Sequence, residues 1–527
     1  MKNKFFHIVT VSFVTLLSLL VAINKLNAEP PKVLDGMLII NEDDSHFYFT
    51  RTPEQMTLEG LHAFIDQYAG TKITHLFLNP NAQRATFKSQ TRDAIWEPVN
   101  SVEIKNQDAK LSQWFQNARL LHERGLDPYK IWIDRCREKK ISPWISMRMN
   151  DLHWVNEIDH FAHSTFWRTN PQFWRVPNDK SKDWLSRALN YAHPEVREHQ
   201  MSFVRELFER YDFDGLELDW MRFGYHFTPG KEREEGIILN EFMRDVRKLA
   251  QEWEKKRGHP IYIAARCPTD PDAAAGLGMD GVQWAKEKSV DLLIPTPFWA
   301  ASDFDIPVER WHELLKTLEH SVAVAPGLEY NARAWPGGKA IPNDLAGLYG
   351  FVASERFRGA RNIYLFNWMD SDTRPVSEYD YRVLLEKGIG DEVILHSVRR
   401  HPVGYRDTVS QGVSACIQLP KTTDSDVTFT IPIGTKPVTG KLWLILGLAA
   451  NESVKEAVLS ATLNGKNTKP VDDAELKGFS GDVARVLRFD CPLEAAKDGT
   501  NNVIVNRNSG TLQKIVWVEL KIEPDGK

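Results

Sequence analysis

The side chains best suited to acid–base chemistry in this chain follow short apolar runs. The clearest case is Leu216-Glu217-Leu218-Asp219-Trp220-Met221, where apolar and acidic residues alternate. That period is the signature of a strand. It puts Glu217, Asp219 and Met221 on one side and Leu216, Leu218 and Trp220 on the other. Helical patterns flank the stretch, so its strand belongs to a parallel sheet covered on both faces. Carboxylates buried there are costly unless paired or functional. Two carboxyl groups flanking a glycosidic bond can cleave it: one protonates the leaving oxygen, and the other attacks or activates water. Asp219 is the first candidate, with a structural salt bridge to Arg266 or Arg148 as its alternative. Glu329, in Pro326-Gly327-Leu328-Glu329-Tyr330, is the candidate second carboxyl, and its alternative is a loop acid paired with Arg333. Glu217 lies two residues, or ~6.6 Å, back along the strand. It reads as a positioning or pKa-tuning group, with direct catalysis as the other possibility.

Polar and aromatic residues recur at the ends of the other predicted strands. Arg148, Asn150 and Asp151 follow the third, Trp220 lies near the end of the fourth and Arg222 follows it, and Arg266 follows the fifth. Trp299 follows the sixth, Tyr330 the seventh, and Asn367, Trp368 and Asp370 the eighth. All are candidates to bind substrate, with Asp370 in reserve as an acid. Eight of the 17 Trp fall within residues 90–190, mostly in two long loops, which points to a groove lined with indole faces suited to sugar rings. His153, His160 and His163 read as substrate-contacting or surface residues.

The elements that must position these groups alternate regularly. Strands are predicted at Val33–Ile40, Ile73–Leu78, Ile141–Met147, Leu216–Met221, Ile261–Ala265, Val290–Ile294, Val322–Ala325 and Ala360–Phe366, with helical segments between them. Eight strand–helix repeats are the count of a closed (β/α)8 TIM barrel, whose chemistry sits at the carboxyl ends of the strands. An open doubly wound sheet lacks support, because no Gly-rich loop follows the first strand. From about Glu392 the texture changes to short alternating strands separated by turns such as Asn464-Gly465, which predicts a β-sandwich.

The expected organisation is a signal peptide over 1–28, a barrel over 33–391 and a C-terminal β-sandwich over 392–527. Lys2 and Lys4, the apolar run Phe5–Ile23 and Ala28 form the signal pattern, giving a secreted or periplasmic protein, with an uncleaved membrane anchor as the rival. Without Lys2, Lys4 and Lys25 the formal charge moves from −5 to −8, and no basic tract exists to favour nucleic acid. No C-x-x-C occurs among the four cysteines, so a zinc site has no support, and Glu42, Asp43 and Asp44 lack the spacing of an EF-type calcium loop; neither a metal nor a cofactor is expected. An oxidising destination permits a bridge between Cys416 and Cys491.

The central motif also carries a resemblance. Asp214-Gly215-Leu216-Glu217-Leu218-Asp219-Trp220-Met221-Arg222 resembles the fourth strand of the bacterial glycoside hydrolase-like family ten barrels. It is also similar to that of the family 18 chitinases, except that Met221 stands where their catalytic Glu would be. A third likeness is to the α-amylase clan, whose nucleophilic Asp would match Asp219. The resemblance implies a secreted glycoside hydrolase acting on a poly- or oligosaccharide. A non-catalytic carbohydrate-binding barrel and a polysaccharide lyase using Tyr330 and Arg266 are the alternatives.

Overall fold

In the computed structural model the described residues are 34–97, 109–181, 183–298, 301–369 and 377–525. The predicted signal peptide, Trp299 and Asp370 lie outside them. Nine hydrogen-bonded parallel segments occupy eight strand positions and close on themselves. The first six are Leu38–Glu42, His75–Leu78, Ser142–Arg148, Gly215–Asp219, Tyr262–Cys267 and Leu292–Pro295. The seventh strand comes in two pieces, Ala323–Val324 and Gly327–Glu329, and the eighth is Ile363–Phe366. Pro326, with no N–H to give, marks the break. The first piece pairs with strand six and the second with strand eight, which pairs with strand one; the cycle is complete. The fold is a TIM barrel followed by antiparallel sheets that form a sandwich.

Register decides which side chains meet inside the barrel. Strands three, four and five align Trp144 with Gly215 and Tyr262, then Ser146 with Glu217 and Ala264, then Arg148 with Asp219 and Arg266. The lowest row is apolar: Trp144 stacks on Phe77 at 4.7 Å and on Tyr262 at 6.2 Å. Gly215 makes room for this plug, since a Cβ there would sit 2.4 Å from the Trp144 ring. The rows above it are polar. Residues of opposite parity, such as Leu216 and Leu218, pack outward against the helices.

The tail contains a six-stranded and a four-stranded antiparallel sheet. Their longest members are Lys441–Leu448, Lys514–Glu523 and Thr500–Ser509. The strand Arg399–Pro402 lies on the barrel helix Leu345–Phe357, so closely that a Cβ on Gly350 would sit 1.9 Å from the Arg400 carbonyl oxygen. Arg400 joins the two units. It donates to Asp344 at 2.9 Å and to the fully buried Glu519 at 2.8 Å. Cys416 and Cys491 are unbridged; Cys491 is buried and Cys416 half-buried. Among the described residues no helix is long and apolar enough to cross a membrane.

Candidate active site

The polar rows culminate at the carboxyl ends of the strands. Glu217 is fully buried in the lower one and accepts from the Tyr364 hydroxyl at 3.1 Å. Ser146, itself accepting from Asn41 Nδ2 at 3.0 Å, supplies a second hydroxyl contact. Burial pushes the Glu217 pKa up to about 8, with the Asp219 charge adding to the rise and Arg266 opposing it. Glu217 is therefore a protonated acid at neutral pH.

Asp219 sits one row higher, 1% exposed, beside the fully buried Arg266. Arg266 Nη1 donates to both Asp219 oxygens, at 3.2 and 3.0 Å. Its Nε donates to Thr296 Oγ1 at 2.6 Å, and Nη2 to the carbonyls of Pro297 and Phe298 at 3.0 and 2.9 Å. The guanidinium also lies 3.7 Å from the Phe366 ring centroid. Asp219 Oδ1 further accepts from the amides of Met221 at 3.0 Å and Arg222 at 2.8 Å. This is a fixed, charge-compensated carboxylate, the form required of a nucleophile or base.

Glu329 approaches from strand seven. It is 1% exposed and accepts from Asn367 Nδ2 at 3.2 and 3.3 Å. Ser302 Oγ and Asn343 Nδ2 hold its backbone carbonyl at 2.8 and 2.7 Å. Its charge acts on both Arg222 and Arg266, which places it in the same electrostatic neighbourhood as Asp219.

On the side of strands one and three, Arg148 gathers Asp43 at 2.5 Å, Asp44 at 3.0 Å and Asp151 at 3.3 Å. Asp151 accepts from His153 Nδ1 at 2.9 Å, and His153 Nε2 accepts from Arg222 at 3.0 Å. Burial holds His153 below the ordinary imidazole range, against the pull of Asp151. The rim above is aromatic. Trp184 stacks on Phe298 at 6.0 Å, and Phe223 packs against both. Three non-glycine residues of the rim have left-handed backbones: Trp154 at φ 56°, Phe223 at 87° and Asn367 at 60°. Such conformations cost energy and persist where surrounding structure imposes them, as at ligand sites.

No family model matches the chain, and no curated protein matches it. Solved structures do. A cycloisomaltooligosaccharide glucanotransferase from Paenibacillus sp., complexed with cycloisomaltoheptaose, is 9% identical with a TM-score of 0.33, covering 92% of this chain and 57% of that one. A noncanonic maltogenic alpha-amylase, AmyB, from Thermotoga neapolitana is 11% identical with a TM-score of 0.36, covering 92% and 99%. The glycoside hydrolase domain of PgaB (BpsB) from Bordetella bronchiseptica is 12% identical with a TM-score of 0.37, covering 67% and 99%. The finer likeness to the family ten barrels rests on the motif Asp214 to Arg222 alone.

The residues singled out from sequence divide into two sets. Asp219, Glu217, Glu329, Arg148, Asp151, Arg222, Arg266 and Asn367 converge at the mouth. Trp220 does not: it is fully buried on the helix side against Tyr191, Phe242 and Trp284. Trp368 is likewise fully buried in the outer core. Asn150 is a loop clamp, donating to the carbonyls of Leu189 at 3.0 Å and Tyr225 at 3.1 Å. Tyr330 is half-buried past the end of strand seven, and its carbonyl takes the Asn343 amide at 2.6 Å. The loop tryptophans divide too. Trp114, Trp167 and Trp174 are core, whereas Trp96, Trp154 and Trp184 stay half-buried, the last two at the rim. Glu42 faces the helices, bound to His46 at 2.5 Å and to Tyr68. Tyr364 and Phe366 were missed. Their period-two spacing on strand eight, one step from the polar Asn367, was the signal for them.

Proposed function

We propose that this chain is a secreted or periplasmic glycoside hydrolase that cleaves a poly- or oligosaccharide at the barrel mouth. The observation carrying this reading is the convergence of Asp219 and Glu329, from strands four and seven, on Arg266 beneath an aromatic rim. Arg266 pairs with Asp219 and fixes its carboxylate in place, which suits it to attack the anomeric carbon or to activate water. Glu329 is then the donor that protonates the leaving oxygen. Glu217, protonated below them, tunes the field at Asp219. Trp184, Phe298 and Phe223 offer ring faces to the C–H faces of a sugar. Incubating the purified protein with a panel of polysaccharides and measuring reducing ends tests the reading, with Asp219→Asn and Glu329→Gln as controls.

One observation favours a second reading, a carbohydrate-binding barrel without turnover: both Asp219 oxygens already accept hydrogen bonds inside the protein. Sugar binding with no product from the wild type would select it. The lyase alternative has less support, because all three guanidinium nitrogens of Arg266 donate to protein acceptors.

A further inference from the structure

The segment joining barrel and tail runs over the loops that build the mouth. Arg406 donates to Asp270 at 2.8 Å, just past strand five. Thr408 is buried, with its methyl 3.5 Å from where a Cβ on Gly224 would stand, one residue after the rim residue Phe223. Between them, both oxygens of Asp407 accept the amide of Phe298, at 2.9 and 3.0 Å.

That amide belongs to the peptide unit whose carbonyl is that of Pro297. The same carbonyl takes Arg266 Nη2 at 3.0 Å, and Nη1 of that guanidinium holds Asp219. Asp407 and Arg266 thus grip opposite ends of one peptide group. A carboxylate on the N–H polarises the C=O toward a better acceptor, so bonds in such a chain strengthen one another. Strand six ends at Pro295, before this peptide.

We propose that Asp407, from the segment leading into the tail, is a positioning residue for the Asp219 carboxylate. It acts through the Pro297–Phe298 peptide and Arg266. Its consequence for turnover rests on the glycosidase reading; the brace itself does not. The C-terminal unit then completes the mouth as well as packing beside the barrel.

Hydrogen exchange in the full-length protein tests this, because the Met221 and Arg222 amides report where the Asp219 carboxylate lies. In Asp407→Ala, peptides containing Phe298 and those containing Met221 and Arg222 should all exchange about tenfold faster or more, as expected for loss of a charge-assisted bond. Peptides of strand two should stay unchanged. Asp407→Asn keeps one acceptor oxygen and should fall between, which also covers the case in which the Ala variant fails to fold. On any sugar the wild type cleaves, kcat should fall and KM should hold, with partial rescue in Asp407→Asn. Faster exchange confined to Phe298, with Met221 and Arg222 unmoved, would overturn the proposal, as would an unchanged kcat. If the wild type cleaves no sugar, the glycosidase reading fails and exchange at Met221 and Arg222 alone decides the brace.

Discussion

Arg266 meets Asp219 through a single nitrogen, Nη1, which donates to both carboxylate oxygens, at 3.2 and 3.0 Å. Both side chains are almost wholly removed from water. Removing one partner of such a pair strands the other charge, which costs about 3–5 kcal/mol. Asp219→Asn should therefore lower stability as well as turnover. Urea denaturation should show a reduced midpoint, partly restored in Asp219→Asn/Arg266→Met. An unchanged midpoint in the single variant would contradict the buried ion pair.

Glu217 gives a pH signature. Its pKa rises from 4.5 to about 8 on folding, so the native state holds the proton more tightly than the unfolded chain. The resulting stabilisation is complete below about pH 4.5 and is lost as pH climbs through about 8. Across that window this group should lower unfolding stability by up to ~1.4 kcal/mol per pH unit. Glu217→Gln should flatten this part of the profile. Identical slopes in wild type and variant, measured by urea titration at several pH values, would show that Glu217 is not the protonated group.

Glu329→Gln tests the donor role. Loss of a general acid typically costs ~10²–10⁴-fold in rate. The loss should be large on natural sugars and smaller on aryl glycosides whose leaving group needs no proton. Equal losses on both would argue against Glu329 as the donor.

Arg400 tests the seam between barrel and tail. Arg400→Ala leaves the fully buried Glu519 without its cation, and should destabilise the protein by about 3–5 kcal/mol. Arg400→Met combined with Glu519→Leu should recover much of that. A thermal scan of the three proteins decides it.

The barrel was legible in the sequence because its strands alternate and its helices carry apolar stripes. The apolar run predicts strand seven only as far as Ala325, since Pro326-Gly327 looks like an ending when it is a break between two pairing pieces. The helix Ala109–Glu123 has Trp114, Phe115, Ala118 and Leu121 buried at helical spacing, but the long polar stretch before it hides that period in the sequence. At the site, the sequence offered Arg266 or Arg148 as the partner of Asp219. Packing selects Arg266 and gives Arg148 to three aspartates. Trp220 was drawn toward the mouth by its position in the chain, against the strand parity that turns it away from Asp219. Asp407 left no local signal, because its partner Phe298 lies 109 residues away.

We propose that residues 1–28 direct export and are then removed. N-terminal sequencing of protein recovered from periplasm or medium should begin at Glu29. Recovery of the full-length chain only from membranes would contradict cleavage.

The most direct test of the whole account is reducing-end release from a polysaccharide panel by wild type and by folded Asp219→Asn. Glycoside hydrolysis at the barrel mouth predicts release by the wild type from at least one sugar, and a loss of at least ~10²-fold in the variant. Full activity in folded Asp219→Asn, or sugar binding with no release by the wild type, would contradict it.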